Sequence, residues 1–295
     1  MSHRLALFLG AACVSLSPIL TKLTEVPGLT SSFYRVCIAF IIFLPYILFT
    51  GQQKIPVTLA LKAMFCGIFF SLDLSCWNQA LMITDTSLAT VIGNMAPVWT
   101  GLLLWIIVKD MPRIWYWLGV FLGLIGLVIM IGWDNVSHLR FSWGSILSLM
   151  ASIFYAIYMV VTGFVRGKMP TMSFMFYSML GYLLTSLVIS MITGTSLVGF
   201  SARSWVFLTL LALIPQLAGW LFVNHALGSL KSTEVSLTML VQVPIACYLG
   251  AVIFKEHIGA KEIIGGSLVL MGIVLTYYSR MKEYVVARVR NRVVN

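Results

Sequence analysis

An aspartate inside an otherwise apolar stretch is the residue of this sequence with the clearest chemical potential. Asp73 lies near the middle of the run 63–81, and it shares one helix face with Phe69 and Trp77 at spacings of four residues. A carboxyl group at that depth in a membrane is costly unless it faces a cavity or a partner. Asp73 is therefore predicted either to exchange a proton or balance a cationic substrate, or to stabilise helix contacts as a protonated or paired acid.

Polar side chains recur at spacings of four residues in three further apolar runs, and each set falls on one helix face. The sets are Thr86, Thr90 and Asn94; Gln216, Trp220 and Asn224; and Glu234, Thr238 and Gln242. Such faces predict either a polar cavity or hydrogen bonds between helices. Glu234 follows Ser232 and Thr233 near a helix end, where helix capping is an equal alternative to substrate binding.

Aromatic side chains near these polar faces could hold an organic cation or a flat ring by stacking and cation–π contact. Aromatic residues make up 13% of the chain, so simple packing is the alternative for each ring. The predicted substrate-binding residues are Asp73, Trp77, Asn78, Asn94, Trp99, Tyr155, Tyr158, Gln216, Trp220, Asn224, Thr238 and Gln242.

Two prolines and one arginine inside the apolar runs carry further predictions. Pro97 and Pro244 interrupt the backbone hydrogen bonds of their helices, so they predict either gating hinges or static kinks. Arg35 lies near one end of its run and is predicted to extend its guanidinium to the lipid headgroups. With Arg35 placed there, a central site for phosphate esters or dianions is not expected.

Membrane-spanning helices are the elements that must position these residues. The chain has 295 residues, of which 60% are hydrophobic and 9% are charged, whereas a soluble domain has about 25% charged residues. This composition excludes a soluble domain, intrinsic disorder and nucleic-acid binding. Ten apolar runs are long enough to cross a bilayer, and none alternates as barrel strands do. They are 5–23, 31–49, 63–81, 87–108, 115–133, 143–164, 173–192, 205–227, 235–254 and 263–278.

The distribution of basic residues predicts the orientation. If the N-terminus is cytoplasmic, 13 of the 19 Lys and Arg residues lie on the cytoplasmic side and 5 on the other. Positive charge is retained on the cytoplasmic side of membrane proteins, so a multi-pass inner-membrane protein with both termini in the cytoplasm is expected. The basic tail 281–295 is predicted to meet anionic lipid headgroups.

The chain contains an internal repeat. Asn78 has a counterpart in Asn224 at an offset of 146 residues, and Gly119 has one in Gly265 at the same offset. The predicted units are 1–136 and 137–280, followed by the tail 281–295. Five spans in each unit would insert the two units upside down relative to each other. Inverted repeats are typical of secondary transporters, whose site lies near the midplane.

Residues 31–39 (SSFYRVCIA) resemble the second span of EamA-type proteins in the drug/metabolite transporter superfamily. The segment 86–97, the pair Lys109–Asp110 and Gly119 resemble that family's fourth and fifth spans, and 232–244, Glu256 and Gly265 are their counterparts. Asp110 departs from the glutamate usual in the family. The resemblance implies an all-α fold of ten spans as two inverted five-helix repeats. It also implies metabolite transport through a cavity built from spans 1, 3, 4, 6, 8 and 9, with spans 5 and 10 outside it.

The sequence thus predicts a secondary active transporter that moves a small organic metabolite by alternating access, coupled to protons or acting by exchange. Amino acids and related cationic, zwitterionic or neutral compounds are the predicted substrates. No cofactor, metal or nucleic-acid partner is expected, and the protein is expected in membrane lipid as a monomer or homodimer. Motifs for nucleotide hydrolysis, metalloprotease or hydrolase chemistry are missing from the sequence. The alternative is a membrane-embedded enzyme acting on a lipid or a lipid-linked group.

Overall fold

Ten apolar helices make up the fold. The computed structural model describes residues 1–52, 54–84, 86–109, 111–132, 142–254 and 258–294. Within these ranges the ten spans have 18 to 27 residues each, which suits the thickness of a bilayer. We number them α1 His3–Thr24, α2 Gly28–Thr50, α3 Val57–Ile83, α4 Leu88–Val108, α5 Ile114–Ile131, α6 Trp143–Arg166, α7 Thr171–Ile192, α8 Ala202–Leu227, α9 Ser232–Ile253 and α10 Ala260–Tyr278. The ten predicted spans are confirmed.

Two helices extend beyond the apolar runs that predicted them. The third begins at Val57, six residues before the predicted start, because Lys62 lies inside the helix near its end. A lysine at that place can direct its ammonium to the membrane surface while its stem stays in the helix. The last helix continues through the basic tail to Val294.

Local sequence explains where several helices begin and end. Pro27, Pro56 and Pro170 directly precede α2, α3 and α7, where a missing amide hydrogen costs no helical hydrogen bond. The Ser142 hydroxyl caps α6 by accepting from the Ser145 amide at 3.3 Å. Gly51 ends α2 with a φ of 66°, a left-handed conformation that favours glycine.

Four spans are interrupted near the middle of the bundle. The first breaks at Leu16, and the eighth contains a π-helical segment, Ala212–Gly219. The fourth breaks after Gly93, and the ninth contains a short 3-10 segment, Met239–Val241. These last two breaks lie at equivalent positions of the repeat. Interrupted helices at membrane depth are characteristic of transporter binding sites.

The two prolines predicted to interrupt helices lie just after these breaks. Pro97 is in the first turn of the second half of α4, Ala96–Val108, where its missing amide hydrogen is tolerated. Pro244 is the third residue of the second half of α9, Gln242–Phe254. The interruption in α4 is therefore at Asn94 and Met95 and not at Pro97 itself. A hinge role for both prolines stays a prediction.

Helices α5 and α10 pack against each other through glycines. A Cβ atom on Gly119 would lie 2.6 Å from the Gly272 carbonyl oxygen, and one on Gly272 would lie 2.5 Å from the Gly119 carbonyl oxygen. Real Cβ atoms do not approach so closely, so only glycine permits this separation of the backbones. The same arrangement joins Gly126 to Gly265.

Some predictions fall outside the described residues. They are the boundary between the repeats after residue 136, the acidic residues Asp110 and Glu256, and the external arginine Arg140.

Candidate functional site

A small cavity lies between α3, α6, α7 and α8. Its side chains leave only about as much room as one water molecule occupies. In this conformation an organic molecule does not fit, so binding requires the helices to move. The lining residues are Phe70, Tyr158, Met175, Ser178, Met179, Tyr182, Gln216, Trp220 and Asn224.

Five aromatic rings surround this cavity, and we call them the aromatic cluster: Phe70, Tyr155, Tyr158, Tyr182 and Trp220. The Phe70 ring centroid lies 4.3 Å from that of Trp220, 4.8 Å from that of Tyr158 and 5.3 Å from that of Tyr182. The Tyr155 ring meets Trp220 edge-on at 6.0 Å. These distances are typical of favourable ring pairs. The cluster offers ring faces to a cationic or aromatic group.

Polar atoms of the eighth helix complete the cavity wall. The Tyr158 hydroxyl donates to Asn224 Oδ1 at 2.8 Å, and both side chains are buried. Gln216 Oε1 accepts from Arg35 Nε at 2.9 Å. Because Gln216 and Asn224 are two turns apart on one face of α8, both reach the same cavity. The predicted polar face of this helix therefore lies at the cavity.

Arg35 lies inside the bundle, which corrects the prediction that it reaches the headgroups. Its side chain is 2% exposed, and its Nη1 donates to the Ser17 hydroxyl at 3.0 Å. The prediction counted from the first residue of the apolar run, but the helix already begins at Gly28. Arg35 is therefore about two turns, or about 10 Å, inside the span.

Arg35 and Asp73 lie at the same depth. The Asn78 amide donates to the Gly28 carbonyl at 3.3 Å and fixes the register of α2 and α3. Arg35 comes seven residues after Gly28 and Asp73 five residues before Asn78, which places them about 10 Å and about 8 Å below this contact. Asp73 is 9% exposed and within electrostatic range of Arg35 and Tyr155. The site thus contains both a buried cation and a buried acid.

Two of the predicted binding residues instead join helices outside the cavity lining. Asn78 donates to the Ser32 hydroxyl at 2.5 Å, in addition to its bond with Gly28. The Thr238 hydroxyl donates to the Glu234 carbonyl at 2.7 Å and lies 3.0 Å from the Tyr277 hydroxyl. These contacts favour the alternative that such residues are interhelical hydrogen-bonding groups.

Four other predicted residues also lie outside the lining of the cavity. Asn94 donates to the Thr90 carbonyl at 2.8 Å, next to the break in α4. The Trp99 indole donates to the Ser152 hydroxyl at 3.0 Å and joins α4 to α6. The remaining two are half-buried: Trp77 and Gln242.

Sequence reasoning missed the contribution of the seventh helix. Met175, Ser178, Met179 and Tyr182 line the cavity, although spans 2 and 7 were not expected to take part. The repeat contained a signal for this. Phe33–Tyr34 and Phe176–Tyr177 correspond in the two halves, so Ser178 is the counterpart of Arg35.

A second group of charged and aromatic side chains joins α1 to α8, α9 and α10 near the N-terminus, and we call it the N-terminal cluster: His3, Arg4, His225, Glu234 and Tyr277. Arg4 Nε lies 3.5 Å from Glu234 Oε1, and the Arg4 guanidinium lies 4.9 Å from the Tyr277 ring centroid. The His3 and His225 rings stack at 4.7 Å. Glu234 is 3% exposed and makes no side-chain cap. Its role is thus an ion pair between α9 and α1.

Comparison with known proteins gives a consistent result. A model of the EamA-like transporter family matches residues 2–132 and again residues 142–278. Two matches of one family model show that the chain is built from two copies of the same unit.

Three named relatives are similar over most of the chain. A protein named "Uncharacterized transporter" from Archaeoglobus fulgidus is 22% identical, covering 91% of this chain and 96% of its own. The "S-adenosylmethionine uptake transporter" of Rickettsia prowazekii is 21% identical, covering 91% and 90%. The mouse "Solute carrier family 35 member G1" is 22% identical, covering 84% and 70%.

A solved crystal structure shares the fold. It matches with a TM-score of 0.79 at 17% sequence identity, covering 96% of this chain and 99% of that chain. Identity at this level supports the arrangement of the helices and says nothing about the substrate.

Proposed function

The chain belongs to the EamA-like transporter family, and we propose that it is a secondary active transporter that moves a small organic metabolite across the inner membrane. Family membership makes it a multi-pass membrane transporter. The names of the relatives also describe transporters, so the membrane-embedded enzyme considered as an alternative is excluded.

The juxtaposition of the aromatic cluster with the buried Asp73 carries the proposal about the substrate. Tyr155 contacts the cavity-lining Trp220 and lies in the electrostatic range of Asp73, so an acid lies close to the rings of the aromatic cluster. Ring faces and a carboxylate both attract organic cations. The proposed substrates are amino acids and related cationic, zwitterionic or neutral compounds.

S-adenosylmethionine is a suitable first compound to test. Relatives in two Rickettsia species are named for its uptake and are 21% and 23% identical to this chain. The molecule combines an amino-acid group, a sulfonium cation and an aromatic base. The sulfonium cation and the aromatic base can bind to the ring faces of the aromatic cluster, and the ammonium of the amino-acid group can bind to Asp73.

Alternating access is proposed from three features of the bundle. The cavity is too small for an organic molecule in this conformation, the helices α4 and α9 are interrupted at equivalent positions, and the N-terminal cluster joins α1 to α8, α9 and α10 at one end. We propose that the units 1–136 and 137–280 are inverted and rock about the cavity, with Pro97 and Pro244 near the moving segments. The basic-residue count supports a cytoplasmic location for both termini, the tail 281–295 and the N-terminal cluster.

The coupling is proposed to be proton-driven or an exchange of substrates. Asp73 is buried and lies one helical turn after Phe70, which lines the cavity, and a carboxyl group that alternates between two aqueous sides can carry a proton across. No nucleotide-binding motif offers another energy source.

A thermal-shift screen of the purified full chain tests the substrate class. S-adenosylmethionine, the twenty L-amino acids and a sugar phosphate are compared, since a ligand at 100 times its Kd adds about 2.7 kcal/mol to the stability of the state it binds. We expect stabilisation by an amino acid or by S-adenosylmethionine. Stabilisation by the sugar phosphate, with amino acids and S-adenosylmethionine inactive, would contradict the proposal.

A further inference from the structure

We propose that Arg35 is the receptor for a carboxylate of the substrate, so that the transported molecule carries an anionic group as well as a cationic or neutral one. This inference rests on the proposed transport function and narrows its substrate class to molecules with a carboxylate. In the conformation described here, the guanidinium is held by two neutral groups, which the substrate carboxylate replaces.

The first support is the incomplete pairing of a buried charge. Arg35 is 2% exposed, and its two side-chain hydrogen bonds go to Gln216 Oε1 and Ser17 Oγ. Among the described residues, no carboxylate lies within 4.0 Å of its guanidinium. Buried charges in proteins are normally paired with an opposite charge. A guanidinium is also well suited to binding a carboxylate through two parallel hydrogen bonds.

The second support is the position of Arg35 directly behind the cavity wall. Gln216 lines the cavity and accepts from Arg35 with its amide oxygen. The neighbouring wall residue Tyr182 lies in the electrostatic range of Arg35. A turn of the Gln216 side chain would break this hydrogen bond at the cavity wall and leave the guanidinium without that partner, with no change in the depth of Arg35.

The third support is the arrangement of the two charges. Asp73 lies at the depth of Arg35 and within its electrostatic range, and Tyr155 and Tyr182 of the aromatic cluster lie within the electrostatic range of Asp73. An amino-acid group presents an ammonium and a carboxylate close together, so it matches this pair. A substrate with only a cation would attract Asp73 and leave Arg35 with its two neutral hydrogen-bond partners.

The location of the two neutral partners connects binding with movement. Ser17 begins the second half of α1, directly after the break at Leu16, and Gln216 lies in the π-helical segment of α8. Release of both hydrogen bonds by a substrate carboxylate frees the two irregular helix segments together. Substrate binding would thereby alter the helices that have to move during transport.

Binding measurements on the purified full chain test this inference. Each of the twenty L-amino acids is compared with the amine that remains when its α-carboxylate is removed. For every amino acid that binds, we expect the corresponding amine to bind at least tenfold more weakly to the wild-type chain. Arg35→Gln should weaken binding of the amino acid by a similar factor and leave the affinity for the amine unchanged.

A second variant separates recognition from a purely structural role of Arg35. Gln216→Glu places a carboxylate beside the guanidinium with little change in shape, so it should compete with the substrate carboxylate. We expect weaker binding of the amino acid and unchanged or tighter binding of its amine. Ser17→Ala removes one neutral partner without adding charge, and it should not change the preference for the acid.

Three outcomes would overturn the inference. They are equal binding of amino acids and amines by the wild-type chain, equal weakening of both by Gln216→Glu, and failure of all twenty amino acids and of S-adenosylmethionine to bind. The wild-type comparison remains decisive if Arg35→Gln does not fold. After such a failure, saturable exchange of another organic cation in vesicles would show that only carboxylate recognition by Arg35 is wrong. If no compound shows saturable exchange, the proposed transport function is wrong as well.

Discussion

Replacement of Asp73 by asparagine probes the balance between the two buried charges. The substitution keeps the size of the side chain but removes the charge that faces Arg35. At an effective dielectric constant of about 20, unit charges 4 Å apart attract by about 4 kcal/mol. Arg35 and Asp73 are farther apart than the 4.0 Å of an ion pair, so their attraction is weaker than this. We expect Asp73→Asn to lower the free energy of unfolding by about 2 to 3 kcal/mol at pH values where Asp73 of the wild type is ionised.

A double-mutant cycle measures this energy. The thermal stabilities of wild type, Asp73→Asn, Arg35→Gln and the double variant are compared in detergent between about pH 5 and pH 8, a range in which a buried carboxyl group can change its charge. The double variant should lose less stability than the two single variants lose together. The reason is that it contains neither buried charge, whereas each single variant leaves one charge without its counterpart. The coupling should disappear at pH values where Asp73 is protonated.

Transport by Asp73→Asn completes the test. We expect the folded variant to lose gradient-driven accumulation and to retain exchange if Asp73 carries the coupling proton. Additive stabilities in the cycle, together with wild-type accumulation at every pH, would refute both the charge pairing and the place of Asp73 in the site.

Further predictions concern the N-terminal cluster, the helix packing and the orientation. Arg4→Ala removes the ion pair to Glu234 and the contact with the Tyr277 ring. A maleimide applied from the N-terminal side should therefore label Met179→Cys several-fold faster in this variant. Arg4→Lys is the control, and an unchanged labelling rate in Arg4→Ala would count against a gate at the N-terminal cluster. Gly272→Leu should destabilise the chain by at least about 2 kcal/mol because its side chain meets the Gly119 carbonyl. Gly250→Leu, with open space around its Cβ position, is the matched control, and equal effects would contradict the packing argument. A cysteine at Lys261 should react with reagents outside the cell and one at Lys109 should not, and the reverse pattern would overturn the proposed orientation.

The number of spans and their approximate ends could be predicted from the sequence, because a lipid bilayer requires long apolar helices. Lys62 shows the limit of that reasoning, since a charge near a helix end resembles a loop although the helix continues through it. The sequence predicted that Pro97 interrupts α4, whereas the structure has the break at Asn94 and Met95. At the break the Asn94 side chain donates to the Thr90 carbonyl and the Met95 amide donates to the Ile92 carbonyl, a local arrangement that the spacing of apolar residues does not reveal.

Only part of the cavity lining could be predicted from the sequence. Of the residues predicted to bind the substrate, Tyr158, Gln216, Trp220 and Asn224 line it, and their role in binding stays a prediction. The rotation of each helix about its axis decides the rest, and apolar residues on all sides of a membrane helix conceal that rotation. Tyr182 could therefore not be distinguished from a packing residue, and Arg35 was assigned to the membrane surface because its depth depends on where α2 begins.

Counterflow in sealed proteoliposomes tests the central claim most directly. Vesicles containing the full chain are loaded with an unlabelled mixture of the twenty L-amino acids and S-adenosylmethionine and then placed in a trace of the radiolabelled mixture. A transporter that alternates about a binding cavity should accumulate label transiently above equilibrium, with a rate that saturates. Label that only equilibrates, at a rate proportional to concentration or equal to that of protein-free vesicles, would contradict the claim.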